Sequence, residues 1–169
     1  MSRPAIELNN LRSRGKVWVY AGGGDDHIQI IGKRTDISGS LIVSSINGPA
    51  NFGRAQVFVS GSPVGGVPAS TDDWATISGT ITINPGTLPP QNFAQVGDHI
   101  RVLGVKNVGR LSINTTGDND FIQLAGVTGN ALEIDGGPGD EDTLGSTDGH
   151  RPEFSTVSIV GIEQNLSGL

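Results

Sequence analysis

The chain has 169 residues with 26 Gly, 9 Pro and no Cys, and 17% of its residues are charged. That much Gly and Pro disfavours a helix bundle, and the missing Cys excludes disulfide scaffolds, thiol nucleophiles and zinc-thiolate sites. Charge divides unevenly: residues 1–110 carry ten basic against seven acidic groups, net +3, and residues 111–169 one against ten, net −9, which gives the overall −6. The acidic third is no nucleic-acid surface, and a divalent cation would relieve its carboxylate repulsion. The chain is too polar for membrane insertion, and its first sixteen residues hold no apolar run of signal-peptide length.

In chain order, short alternating strands are predicted from Ala5-Ile6-Glu7-Leu8 and Val17-Trp18-Val19 onward. A spaced pattern then recurs: Asp26-x-Ile28-x-Ile30-x-Gly32, Asp73-x-Ala75-x-Ile77-x-Gly79, Asp98-x-Ile100-x-Val102-x-Gly104 and Asp120-x-Ile122-x-Leu124-x-Gly126. Ala55-x-Val57-x-Val59-x-Gly61 keeps the strand without the Asp, and Asp142-x-Leu144 begins a sixth copy. Second strands follow at Ile81-Thr82-Ile83, Leu111-Ser112-Ile113 and Leu132-Glu133-Ile134, and Val157-Ser158-Ile159-Val160 forms a terminal strand.

Self-similarity near 22 residues without helical periodicity predicts an all-β fold, a parallel β-solenoid or β-helix of about six coils spanning 1–169 as one domain. Its repeat starts fall near 26, 55, 73, 98, 120 and 142, with Gly and Asp at the corners and Pro-rich bulges such as 84–95 between coils. An antiparallel sandwich is the competing architecture, but it gives no reason for Asp and Gly to repeat in register.

Three turns concentrate oxygen donors: Gly22-Gly23-Gly24-Asp25-Asp26, Gly117-Asp118-Asn119-Asp120 and Gly136-Gly137-Pro138-Gly139-Asp140-Glu141-Asp142. Calcium takes carboxylate and carbonyl oxygens, and crowded carboxylates need a cation or a proton. Candidate ligands are Asp25, Asp26, Gly117, Asp118, Asn119, Asp120, Gly137, Gly139, Asp140 and Asp142. An Asp at a corner also accepts backbone N–H bonds; that reading suits Asp73 and Asp98, whereas Asp25 and Asp26 suit either role.

These stretches resemble the hemolysin-type, or RTX, calcium-binding repeat, Gly-Gly-x-Gly-x-Asp-x-apolar. Gly22 through Asp26 to Ile28 matches with Ala21 in the leading Gly position. The turns ending at Asp120 and Asp142 match with one residue inserted, and the motifs are isolated where the family's run in tandem. The resemblance implies an extracellular bacterial protein with calcium at its corners.

His27, Trp74, His99 and Phe121 fall in one outward column with Phe58 in the next, a face for protein contact or sugar stacking unless loops cover it. No nucleophile elbow, zinc-protease motif or phosphate loop occurs, so no enzyme activity is expected. The reading is a calcium-binding structural protein of the bacterial cell surface or matrix. Its basic and acidic ends suit head-to-tail self-assembly into a fibre. The alternative is a monomeric carbohydrate-binding or polysaccharide-lyase-like β-helix protein, whose chemistry needs carboxylates converging on an outward face, where the sequence offers Arg101 without acidic company.

Overall fold

The computed structural model describes residues 6–22, 25–45, 54–62, 66–85, 97–115, 118–139, 141–146 and 150–165. The first coil supplies β1 (Ile6–Asn9), β2 (Arg12–Ser13) and β3 (Val17–Ala21); the second, β4 (Asp26–Ile31), β5 (Asp36–Ile37) and β6 (Leu41–Ser45). The third holds β7 (Ala55–Ser60), β8 (Ala75–Ile77) and β9 (Thr80–Asn84). In the next two coils the corners tighten, so β10 (His99–Asn114) and β11 (Phe121–Asp135) each run on as one bent strand. Then come β12 (Thr143–Gly145), β13 (Glu153–Val160) and β14 (Gln164–Asn165).

Every strand pairs in parallel with its equivalent one coil away, and the result is a β-solenoid. The first face reads β1-β4-β7-β10-β11-β12-β14. The second reads β2-β5-β8-β10-β11-β13, and the third β3-β6-β9-β10-β11-β13, the bent strands β10, β11 and β13 serving both.

Alternation sends every second side chain inward. On the first face Ile28, Val57, Ile100, Ile122 and Leu144 stack in register, each at most 1% exposed. Ile100 lies directly against Ile122 on a strand of the same sense, as the repeat predicts. No single coil can bury this apolar row; each is covered by the next. Full burial of each such side chain contributes roughly 1.5–3 kcal/mol.

The predicted copy starting at Asp73 differs from the others. Ala75 pairs with Val105, so that stretch belongs to the second face, and the coil begun at Ala55 returns 43 residues later at Asp98. Two-residue alternation is the same on every face, so it does not reveal which one a strand occupies. The Pro-rich bulge lies largely outside the described residues.

Trp74 also departs from expectation, being buried at 8% exposure with its indole N–H donating to Pro68 O (3.1 Å). Its ring crosses the corner at Gly126, where φ is +57°; a Cβ there would lie 2.9 Å from the ring. Glycine is required both for that backbone and for the close approach.

Candidate metal centre

A parallel ladder leaves a problem at the corner before each first-face strand: a backbone N–H that has turned away from the sheet needs an acceptor. Asp at the corner of the following coil supplies one. Ala55 N–H donates to Asp98 Oδ1 (2.8 Å), Asp98 N–H to Asp120 Oδ1 (2.7 Å) and Asp120 N–H to Asp142 Oδ1 (2.7 Å). Asp142 N–H donates to Glu163 Oε2 (2.8 Å). Main-chain bonds run alongside, from Phe121 N to Asp98 O (2.9 Å) and from Thr143 N to Asp120 O (2.8 Å).

The carboxylates are sealed in: Asp98 is 8%, Asp120 2% and Asp142 0% exposed. Each Oδ1 is occupied by the ladder, but Asp120 Oδ2 and Asp142 Oδ2 are buried without a hydrogen-bond partner among the described residues. Orphaned buried polar atoms of this kind are costly and rare.

Burial pushes Asp120 up to about 7; the Asp98 N–H and the nearby Thr115 hydroxyl, whose own proton goes to Gly136 O, oppose that rise, and Asp98 and Asp142 reinforce it. Asp98 is pushed up to about 6, again chiefly by burial, against the Ala55 N–H and with Asp118 adding to the rise. Asp142 is raised by burial, opposed by the Asp120 N–H and reinforced by Glu163 and Asp118. The corner therefore favours binding a positive charge, whether a proton or a metal cation.

The next turn is shaped around the same carboxylate. Over the Gly139 Cα, where any other residue would place its Cβ, Asp118 O and both Asp142 carboxylate oxygens converge, the latter two at 2.7 Å from that point. Asp142 Oδ2 lies 2.9 Å from the corresponding point at Gly136. Asp118 holds φ at +80° and Gly137 at +76°, both in the left-handed region. Among the described residues no three His, Asp or Glu side chains converge on one point. At the Gly139 turn the Asp142 carboxylate meets the Asp118 carbonyl, oxygen types that calcium accepts as ligands.

The structure thus brings together Asp118, Asp120, Gly139 and Asp142 from the predicted ligands, with Asn119 exposed and Gly137 beside them; its N–H donates to Asp135 Oδ1 (3.1 Å). Gly117 and Asp140 lie outside the described residues. Asp25 and Asp26 are elsewhere on the ladder: Asp25 Oδ1 accepts Arg54 N–H (3.0 Å), and Asp26 pairs in register with Ala55, which separates it from Asp98. Asp73, expected to accept backbone bonds at a corner, is placed 3.4 Å from Lys33 Nζ.

Sequence reasoning missed Glu163, which closes the ladder, and the buried Thr115, whose hydroxyl donates to Gly136 O (2.9 Å). Glu163 was within reach, since it follows Asp142 by 21 residues, one period. A Glu in place of Asp concealed it.

On the first face, His27, Gln56, His99 and Phe121 share an outward column as expected, and Trp74 does not. Phe58 stands in the next column with Arg101 and Gln123. The Arg101 guanidinium lies 5.3 Å from the Phe58 ring centroid, a cation–π distance, and its Nε donates to Gln123 Oε1 (2.7 Å). One side of Phe58 is therefore taken. Arg101's register partners are Phe58 and Gln123, neither a carboxylate.

No family model matches the chain, and neither the curated proteins nor the solved structures yield a match.

Proposed function

We propose that the protein is a structural β-solenoid whose acidic corner takes calcium. The observation that carries this reading is the pair of orphaned oxygens, Asp120 Oδ2 and Asp142 Oδ2, buried on consecutive coils. A cation between the turns would give both a partner, offset the repulsion among Asp118, Asp120 and Asp142, and tie coil to coil where the chain bends. Asp120 and Asp142 would hold it through Oδ2, with Asp118 O and carbonyls of the Gly136–Gly139 turn as further donors. The metal's chemistry here is electrostatic cross-linking, with no reaction attached.

Sites of few carboxylates and many carbonyls bind calcium at roughly 0.1–1 mM, the range of extracellular modules. That affinity suits a protein of the cell surface or matrix, where calcium is abundant. No described helix is long and apolar enough to cross a membrane. The carbohydrate reading is weaker, because Arg101 covers the Phe58 ring a sugar would stack on.

Calorimetric titration of metal-stripped protein with calcium tests the proposal. Saturable binding that Asp142→Asn abolishes is the expected result. Absence of calcium heat at millimolar concentration in the folded parent would refute it.

A further inference from the structure

The inward column of the third face runs Val17, Leu41, Ile81, Leu111, Leu132, Val157. Its four middle members are at most 1% exposed, whereas Val17 is only partly buried and Val157 is 53% exposed. Among the described residues the column is continuous and uncovered at both ends. Ile159 and Phe154 are likewise only partly buried at the Val157 end, and Ile6, Leu8 and Leu11 at the other. A depression of about 620 Å³ lined by Leu132, Phe154 and Val157 adjoins the former.

Among the described residues, β1 and β3 pair on one side only, with β4 and β6, and β13 and β14 pair on one side only, with β11 and β12. Their free edges face opposite ends of the solenoid. An edge of this kind accepts a further strand of the same sense.

Charge distinguishes the two ends. On the second face Arg12, exposed, heads the column Arg12, Asp36, Thr76, Lys106, and that face finishes where Glu153, also exposed, pairs with Thr128. Exposed Arg14 and Lys16 flank Arg12; exposed Glu141 and Glu163 lie at the Glu153 end. Both ends carry an apolar inward residue in the same column, and their charges are opposed in balance: Arg12, Arg14 and Lys16 outweigh Glu7 at one end, and Glu141, Glu153 and Glu163 outweigh Arg151 at the other.

We infer that a second copy of this chain covers the β13 end with its own β1–β3 end, Val17 seated on Val157 and Arg12 above Glu153. All pairing among the described residues is parallel, so the added copy presents the same open end again. The contact is heterologous and does not close, and a linear filament results. This goes beyond the calcium reading, since none of the contacting residues is a proposed ligand.

Sedimentation velocity in calcium-containing buffer, over about a hundredfold range of protein concentration, tests the contact. The parent should show species that lengthen with concentration. Val157→Asp, Arg12→Glu and Glu153→Arg each change an exposed side chain, so each should remain folded by circular dichroism and associate about tenfold more weakly or less. An equimolar mixture of Arg12→Glu with Glu153→Arg should recover assembly, because every contact in an alternating filament then pairs opposite charges. A parent that stays monomeric throughout, a Val157→Asp variant that assembles like the parent, or a mixture that does not recover would overturn the inference. A non-assembling parent that still binds calcium would remove this inference and leave the metal reading standing.

Discussion

The backbone N–H of Asp120 donates to the carboxylate of Asp142 one coil further on, at 2.7 Å, and Asp98 stands in the same relation to Asp120. One side chain type thus does two things at each corner. Oδ1 completes the main-chain hydrogen bonding of the preceding coil, and Oδ2, on Asp120 and Asp142, is left buried without a hydrogen-bond partner among the described residues. Substitutions that separate the two oxygens separate the two roles.

Asp120→Asn keeps an acceptor for the Asp98 N–H and removes the buried charge. In chelator at pH 8 its melting midpoint should equal or exceed the parent's, while the rise in midpoint on adding calcium should shrink or vanish. Asp120→Ala removes the acceptor as well and should lose about 1–3 kcal/mol in chelator. Thermal melts with and without calcium distinguish the two.

Acidity gives a second check. Asp98 and Asp120 rise from an ordinary 3.8 to about 6 and about 7 in the fold, so the metal-free folded state holds protons that the unfolded chain has released. Their stabilising contribution is present in full below about pH 4 and is lost as pH rises through 6 to 7. Denaturant titrations in chelator should therefore show stability from these groups falling between pH 5 and pH 8. Calcium competes with the same protons and should restore more stability at pH 8 than at pH 5.

Gly139→Ala places a methyl group where Asp118 O and the Asp142 carboxylate converge. Calorimetry should report weakened calcium binding. The same substitution at Gly15, where nothing lies within 4 Å of the added Cβ, should leave binding unchanged.

Core substitutions test the stacking itself. Ile100→Ala and Ile122→Ala each remove a fully buried side chain from the first-face column and should cost about 2–5 kcal/mol. Because the two residues touch across adjacent coils, their combined effect should depart from additivity, measured in a double-mutant cycle.

The register from Asp98 onward was legible in the sequence because those coils are nearly uninterrupted: 22 residues separate Asp98 from Asp120 and Asp120 from Asp142. The third coil was not. Its 43 residues contain a second-face strand, Ala75–Ile77, with the same alternation as a first-face one, and nothing local labels the face. Trp74 was misplaced for the same reason. The acidic corner was half legible. Its residues could be named from composition, but Asp142 stands 22 residues beyond Asp120, and the cross-coil geometry that joins it to Asp118 and Asp120 follows from stacking. Glu163 shows the limit of pattern matching: the ladder asks for a carboxylate oxygen at a position, and Glu reaches it with one more methylene.

The most direct measurement is a crystallographic map of protein grown in calcium. The account predicts a strong peak between the Asp118 and Asp142 turns, about 2.3–2.6 Å from Asp120 Oδ2, Asp142 Oδ2 and main-chain oxygens. A map with no peak there, in crystals equilibrated with millimolar calcium at pH 8, would contradict it.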